Sequence, residues 1–350
     1  MQISLANVIK GITLPLFQTT TKTMNTPQNL LISAFLSLIA LTGTISNAHE
    51  WDISVSVEVP DSDSDQANTY TTTATRYLAD VEYNEESPYD ETYFTQRIGY
   101  VSTEYSIFRD SRHSSSSFIT TRTKMENDRF SIAARIANQN SPHVYLLAIS
   151  KDKFDGKSTF TPTNPLNESS RYEYNSERTY IHGGYEFYLF DNWTIGATGY
   201  FNEYKNHTTE FDTDSLDNTS KYITQDTAKS SGINLSTNNL WQVSSSQWIK
   251  FNGSINYETT DYESSMSWRY PQGGLTSDLW SFKVASTYYF TRKTDLHLSF
   301  TTRSGSNFDT AALAFSHYFT DNFYARVKTT RDFNSYFDSD TYEAVAGIKF

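Results

Sequence analysis

Residues 340–350 read DTYEAVAGIKF. Successive side chains of a strand point to opposite faces, so Tyr342, Ala344, Ala346, Ile348 and Phe350 share one face and Glu343, Val345, Gly347 and Lys349 the other. The same alternation sets Phe323, Ala325 and Val327 against Tyr324, Arg326 and Lys328, and Leu296, Leu298 and Phe300 against Asp295, His297 and Ser299. The block from Asp278 to Phe350 therefore reads as strands joined by tight turns, each strand with one greasy and one mostly polar face. No amphipathic helical run follows residue 48, and no long apolar segment is present to cover such a sheet. Its apolar faces must meet lipid, and a sheet in lipid has to close on itself, because an open edge leaves unpaired backbone groups at several kcal/mol each. The expected fold class is all-β, a transmembrane antiparallel up-and-down β-barrel.

Composition agrees. Mean hydropathy is −0.57 and aromatics reach 15%, with 25 Tyr and 23 Phe. A helical membrane protein would be far more apolar and a disordered chain poorer in aromatics, whereas a wet-centred barrel with aromatic girdles accounts for both values. Leu30 to Leu41 (LLISAFLSLIAL) is the only continuous apolar run and is too short to span a bilayer as a helix. Ser46 and Ala48 follow at the spacing of a signal-peptidase site. Residues 1–48 thus read as a signal peptide, with Met24 as an alternative start, and 49–350 as a single barrel domain. Removing 1–48 takes away Lys10 and Lys22 and no acid, so 28 basic residues become 26 against 40 acidic and the formal charge moves from −12 to −14. Such a chain is a poor partner for nucleic acid. The absence of Cys excludes disulfides, thiolate ligands and a lipid-anchor Cys.

In chain order, alternation places strands near 51–59, 69–81, 94–109, 129–138, 143–154, 177–190, 193–206, 221–240, 247–263, 278–290, 294–303, 307–319, 322–333 and 340–350. That is about fourteen strands, with twelve or sixteen as neighbouring solutions and 207–247 the region where two strands could hide. Short links such as Asp191-Asn192 and Thr320-Asp321-Asn322 force antiparallel neighbours. Long polar links are expected at 155–177, 207–220 and 264–277, and 110–128 reads as a loop or strand extension. Short turns at one end and long loops at the other is the polarity of outer-membrane barrels.

The repeated aromatic turn signature (YLFDNW at 188–193, YYFTRK at 288–293, HYFTDNF at 317–323), the signal segment and the terminal GIKF resemble the general porin family of Gram-negative bacteria. The resemblance covers the whole mature chain. It implies a bacterial outer-membrane location and passive diffusion of small hydrophilic solutes. It also implies outer-membrane lipid, lipopolysaccharide and the barrel-assembly machinery as partners, with Tyr342, Ile348 and Phe350 as the assembly signal. The chain departs from the family at Glu82 to Glu91, which is acidic where small apolar residues are expected.

Pore chemistry is read from the face opposite the lipid, since Arg or Lys on the lipid face near the midplane costs about 2–4 kcal/mol. The expected lumenal bases are Arg76, Arg129, Arg135, Arg178, Lys250, Lys283, Arg303, Arg326, Lys328 and Lys349. The expected lumenal acids are Asp52, Glu58, Asp80, Glu186, Glu258, Asp295 and Glu343. Such groups either filter solutes or pair across the lumen and fill it. The excess of bases implies weak anion preference or near neutrality. Carboxylates in links (Asp61, Asp63, Asp65; Glu210, Asp212, Asp214, Asp217; Asp338, Asp340) read as a solvated rim, since no glycine-centred calcium loop accompanies them. The seven His are separated, and neither a Gly-x-Ser-x-Gly elbow nor His-Glu-x-x-His occurs, so the reading is not an enzyme and includes no cofactor or metal. The rival is a structural or adhesive barrel working through its loops.

Overall fold

The computed structural model describes residues 48–61, 68–83, 87–116, 119–162, 169–213, 219–266, 272–304, 309–333 and 339–350; of the expected signal segment 1–48, all but Ala48 lies outside them. The strands are β1 (Ala48–Asp61), β2 (Asn68–Glu82), β3 (Tyr100–Ser115), β4 (Ile119–Ala137), β5 (His143–Pro162), β6 (Ser169–Phe190), β7 (Trp193–Thr213), β8 (Thr219–Ser244), β9 (Gln247–Met266), β10 (Gln272–Thr291), β11 (Thr294–Arg303), β12 (Asp309–Tyr318), β13 (Phe323–Phe333) and β14 (Ser339–Lys349). Each pairs antiparallel with its sequence neighbours, and β1 closes on β14 from Asp52↔Lys349 to Asp61↔Asp340. The result is a closed fourteen-strand up-and-down barrel. Among the described strands no edge is left for another chain to extend.

Facing follows from pairing, because directly opposed residues share a face. Every strand puts large apolar side chains on the outside, among them Val55, Tyr70, Val101, Ile132, Leu147, Ile181, Ile195, Leu235, Ile255, Val284, Leu298, Leu313, Val327 and Tyr342. A continuous exposed apolar belt of this kind is what a hydrocarbon environment favours and water does not.

The wall is not of uniform height. Strands β11 to β14 have 10 or 11 residues, whereas β4 to β10 have 19 to 26. About 9–11 residues suffice for a tilted span. The tall strands therefore run well beyond the belt at the end opposite the short turns, called here the loop end. This corrects the expected links at 155–177, 207–220 and 264–277, most of which are strand, and resolves 110–128 as mainly strand extension. Apolar alternation stops there, but cross-strand polar pairs replace it: Thr123–Ser158 at 3.0 Å, Tyr172–Glu210 at 2.5 Å, Asn175–Asp155 at 2.5 Å and Ser264–Asp226 at 2.5 Å. Of the expected rim acids, Asp63, Asp65, Asp214, Asp217 and Asp338 lie outside the described residues, whereas Glu210 and Asp212 belong to β7 and Asp340 to β14.

At the seam, Tyr324 on β13 stands opposite Gly347 on β14, and its ring lies where a Cβ at 347 would be. The phenol then reaches Asp52 on β1 at 3.3 Å. Gly347→Val should expel the ring and destabilise closure by about 1–3 kcal/mol. The check is the heating midpoint of the folded band in gel electrophoresis: it should fall, and an unchanged midpoint would remove the seam argument.

Candidate functional site

Short turns join the strands at one end at 138–142, 191–192, 245–246, 292–293 and 319–322. The link between β2 and β3, residues 83–99, is the exception. Its residues 87–99 fold into the barrel instead of continuing the wall, so β3 starts at Tyr100 and not at Phe94 as the alternation suggested. The reason is local chemistry. Pro88 precedes a 3-10 turn (Tyr89–Glu91), which runs into the single helical turn α1 (Thr92–Thr95). The Thr92 hydroxyl donates to the Pro88 carbonyl at 3.0 Å. Gln96 clamps the neck, its side-chain amide donating to the Glu82 carbonyl at 2.5 Å and accepting from the Glu82 N–H at 3.2 Å. Arg97 reverses the chain with φ 53°, the only left-handed non-glycine backbone among the described residues, a conformation that side chains disfavour. Its guanidinium stacks over Tyr188 at 4.7 Å and pairs with Asp191 at 2.5 Å.

Two adjacent carboxylates anchor this inward segment. Glu91, only 4% exposed, accepts from Lys250 Nζ at 2.8 Å on both oxygens and from the Tyr289 hydroxyl at 2.6 Å. Asp90 accepts from the Tyr318 hydroxyl and lies 3.6 Å from Lys349 Nζ and 3.5 Å from Arg326 Nη2. Burial alone would raise the Asp90 pKa, but Lys349, Arg326, the Tyr318 hydroxyl and Lys250 outweigh it and hold the carboxyl below its ordinary range. Tyr89 donates from its hydroxyl to Asp321 at 3.0 Å and from its N–H to the Arg292 carbonyl at 3.1 Å. On the other side of the lumen, Arg135 donates to the Ile98 carbonyl at 3.0 Å and to the Tyr188 hydroxyl at 2.8 Å, which in turn donates to the Phe94 carbonyl at 2.7 Å. Phe94 completes an apolar cluster with Val144, Tyr188, Leu240, Trp248 and Tyr289. The segment thus spans the lumen at the turn end, tied to β4, β5, β6, β8, β9 and β10 on one side and to β12, β13 and β14 on the other. Each buried charge in it has a partner of opposite sign, which is the condition for keeping charge out of water.

The residues expected from the sequence fall into three groups. Arg135, Lys250, Arg326 and Lys349 hold the inward segment, and Glu186 stands 3.8 Å from Arg135. Arg129 lies between Glu104 at 4.0 Å and Asp152 at 3.6 Å, Arg178 donates to Asn202 at 2.8 Å, Glu258 accepts from Tyr200 at 2.7 Å, Asp295 accepts from Ser316 at 3.2 Å, and Lys328 pairs with Glu343 at 3.2 Å. Lys283 and Arg303 stand exposed on the same face of their strands as Thr287 and Asp295. Arg76 is a correction. It continues the regular pairing of β1 with β2 opposite Trp51, on the face carrying Ile53 and Val55, with its guanidinium over the indole at 5.6 Å; Asp80, also expected inside, is exposed on that same face of β2, opposite to buried Tyr77 and Val81. Tyr342 and Ile348 lie on the outer face, where Ile348 opposes Ile53 and Phe323, and Phe350 follows β14 directly.

The sequence reading did not include the anchors Asp90 and Glu91 or the tyrosines that receive them. A signal existed: Tyr289 and Tyr318 sit on the polar face of strands whose other aromatics face outward.

No protein-family model and no curated protein matches the chain. Among solved structures, the toluene transporter TodX of Pseudomonas putida is similar at a TM-score of 0.50 and 9% identity, covering 94% of this chain and 95% of that one. The Acinetobacter baumannii outer membrane protein Omp33 has a TM-score of 0.45 at 12% identity, covering 87% and 100%. The transport unit of the autotransporter AIDA-I from Escherichia coli has a TM-score of 0.45 at 9% identity, covering 93% and 99%. At these identities the likeness is one of fold.

Proposed function

We propose that the protein is an outer-membrane channel for passive diffusion of small hydrophilic solutes, closed at its periplasmic end by residues 87–99. The observation that carries this reading is the anchoring of that segment. It belongs to no strand and crosses a polar lumen on side-chain contacts and a backbone bond to the 292–293 turn, so it can leave without breaking the backbone ladder of the wall. In this reading the short turns are periplasmic, outer-membrane lipid and lipopolysaccharide surround the apolar belt, and the barrel-assembly machinery reads Tyr342, Ile348 and Phe350.

Selectivity follows from the lumenal charges. With Arg76 and Asp80 on the outer face and Asp90 and Glu91 inside, the excess of three bases expected from the sequence falls to one. Salt of about 1 M screens beyond about 3 Å, so rim acids drop out and the reversal potential in a salt gradient should lie near zero. Planar-bilayer recording of the refolded barrel tests the proposal. Stepwise currents with near-zero reversal are expected, and strong selectivity for either sign would overturn the facing.

The tall strands β4 to β10 favour a second reading, a structural or adhesive barrel whose projecting wall meets a surface outside the cell. A correctly folded barrel that stays silent even with the inward segment removed, yet confers cell attachment, would support it.

A further inference from the structure

Higher in the lumen, strands β6 to β9 form a hollow of about 350 Å³ lined by Tyr180, Thr198, Tyr200, Asn234, Asn256 and Glu258, together with His182. Pairing across the four strands sets these residues in rows: His182, Tyr200, Gly232 and Glu258 in one, Thr198, Asn234 and Asn256 in the next. The key position is Gly232. A Cβ there would meet Tyr200 Cζ at 2.6 Å, so the absent side chain lets the phenol of β7 lie across β8 and reach β9. At the far side its hydroxyl donates to Glu258 Oε2 at 2.7 Å and accepts from Asn256 Nδ2 at 3.0 Å. Pinned at its tip and laid against the backbone, Tyr200 offers a ring face to the lumen. Tyr180 extends that surface, with ring centroids 5.6 Å apart and planes inclined by 35°.

We propose that this hollow is a binding subsite for neutral sugars, which the channel takes up in preference to ions of similar size. The hollow combines a broad aromatic floor with a rim of amides, hydroxyls and one carboxylate. The apolar C–H face of a pyranose stacks on aromatic carbon, while its hydroxyls need donors and acceptors around the edge. Asn234 and Asn256 supply both kinds, and Thr198 adds a hydroxyl. Charge and ring geometry exclude the nearest rivals. No Lys or Arg lines the hollow to take an anion. Its one carboxylate, Glu258, already accepts from Tyr200 and, at 3.2 Å, from Thr260. Two rings inclined by 35° make a floor, whereas an organic cation is held by faces set around it.

This inference deepens the channel reading, but binding can be measured without current. The experiment is saturation-transfer NMR and calorimetry on the detergent-refolded barrel with maltose, maltotriose, choline, arginine and succinate, paired with bilayer recording of the same sample. Maltose and maltotriose should bind in the millimolar range, and the three charged probes should not. Tyr180→Leu, Asn256→Ala and Glu258→Gln should each weaken sugar binding about tenfold. Gel heat-modifiability checks that each variant is folded, and any one of the three suffices if another does not assemble. Choline binding in place of sugar, no sugar binding, or sugar binding untouched in the folded variants would overturn the subsite. A barrel that conducts without binding sugar overturns this inference and leaves the channel; one that binds sugar but never conducts does the reverse.

Discussion

Replacing residues 87–97 by a short Gly-Ser linker should turn a mostly closed barrel into one that is open nearly all the time, with the wall intact. The replaced stretch contributes nothing to the ladder between β2 and β3, whose pairs run from Asn68↔Arg109 to Tyr77↔Tyr100. It does contribute both anchoring carboxylates and the Phe94 cluster. Deleting the whole segment leaves Lys250, Arg326 and Lys349 facing a wet lumen, where they hydrate. Removing only one partner would strand a buried charge at about 3–5 kcal/mol. The variant should therefore fold, and in planar bilayers its open probability should exceed that of the intact protein by at least about a hundredfold, the equivalent of that range. Equal open probabilities in the two proteins would mean that residues 87–99 do not close the pore.

The second large effect is expected in acid. Asp90 is held below its ordinary carboxylate range, so its contribution to docking is fully present above pH 3.8 and is lost as pH falls through the depressed value. The groups facing it act together: Lys349, Arg326, Lys250 and the Tyr318 hydroxyl favour the carboxylate, while Asp52 and Asp295 on the neighbouring wall oppose it. Protonation leaves Lys349 and Arg326 without their shared counter-ion, and the segment should release. Open probability should be low at pH 7 and 5 and rise only below pH 3.8, as the carboxylate takes up its proton. Asp90→Asn should be open already at pH 7 and respond little to acid. A variant with the native pH profile would assign the release to another group.

Much of this molecule is legible in its sequence. Strand number, closure and the turn signatures follow from period-two alternation, because lipid outside and water inside impose opposite chemistry on successive residues. Legibility fails where that contrast disappears. Beyond the belt both faces of β4 to β10 meet water, so strands such as β8 continue through Thr219 to Asp226 on polar pairs that look like loop. It fails again at 83–99, where SPYDETYF reads as an acidic periplasmic link: Asp90 and Glu91 look solvated until Lys349 and Lys250 are brought to them from the far end of the chain. The expected lumenal bases rest on the rule that Arg and Lys avoid lipid. That rule identifies a face but not a partner, and it misassigned Arg76, which shares the face of Tyr70 and Ala74 and lies over the Trp51 indole.

The anchors of the inward segment also impose an order of events. Asp90 and Tyr318 are 228 residues apart in sequence, and Lys349 belongs to the last strand, which joins the first. Contacts of such span form late, after the intervening chain is organised. Of its two sides, the one that holds Asp90 is therefore complete only once β14 has met β1. On the proposed channel reading, full occlusion would follow closure of the seam and report that it has been made.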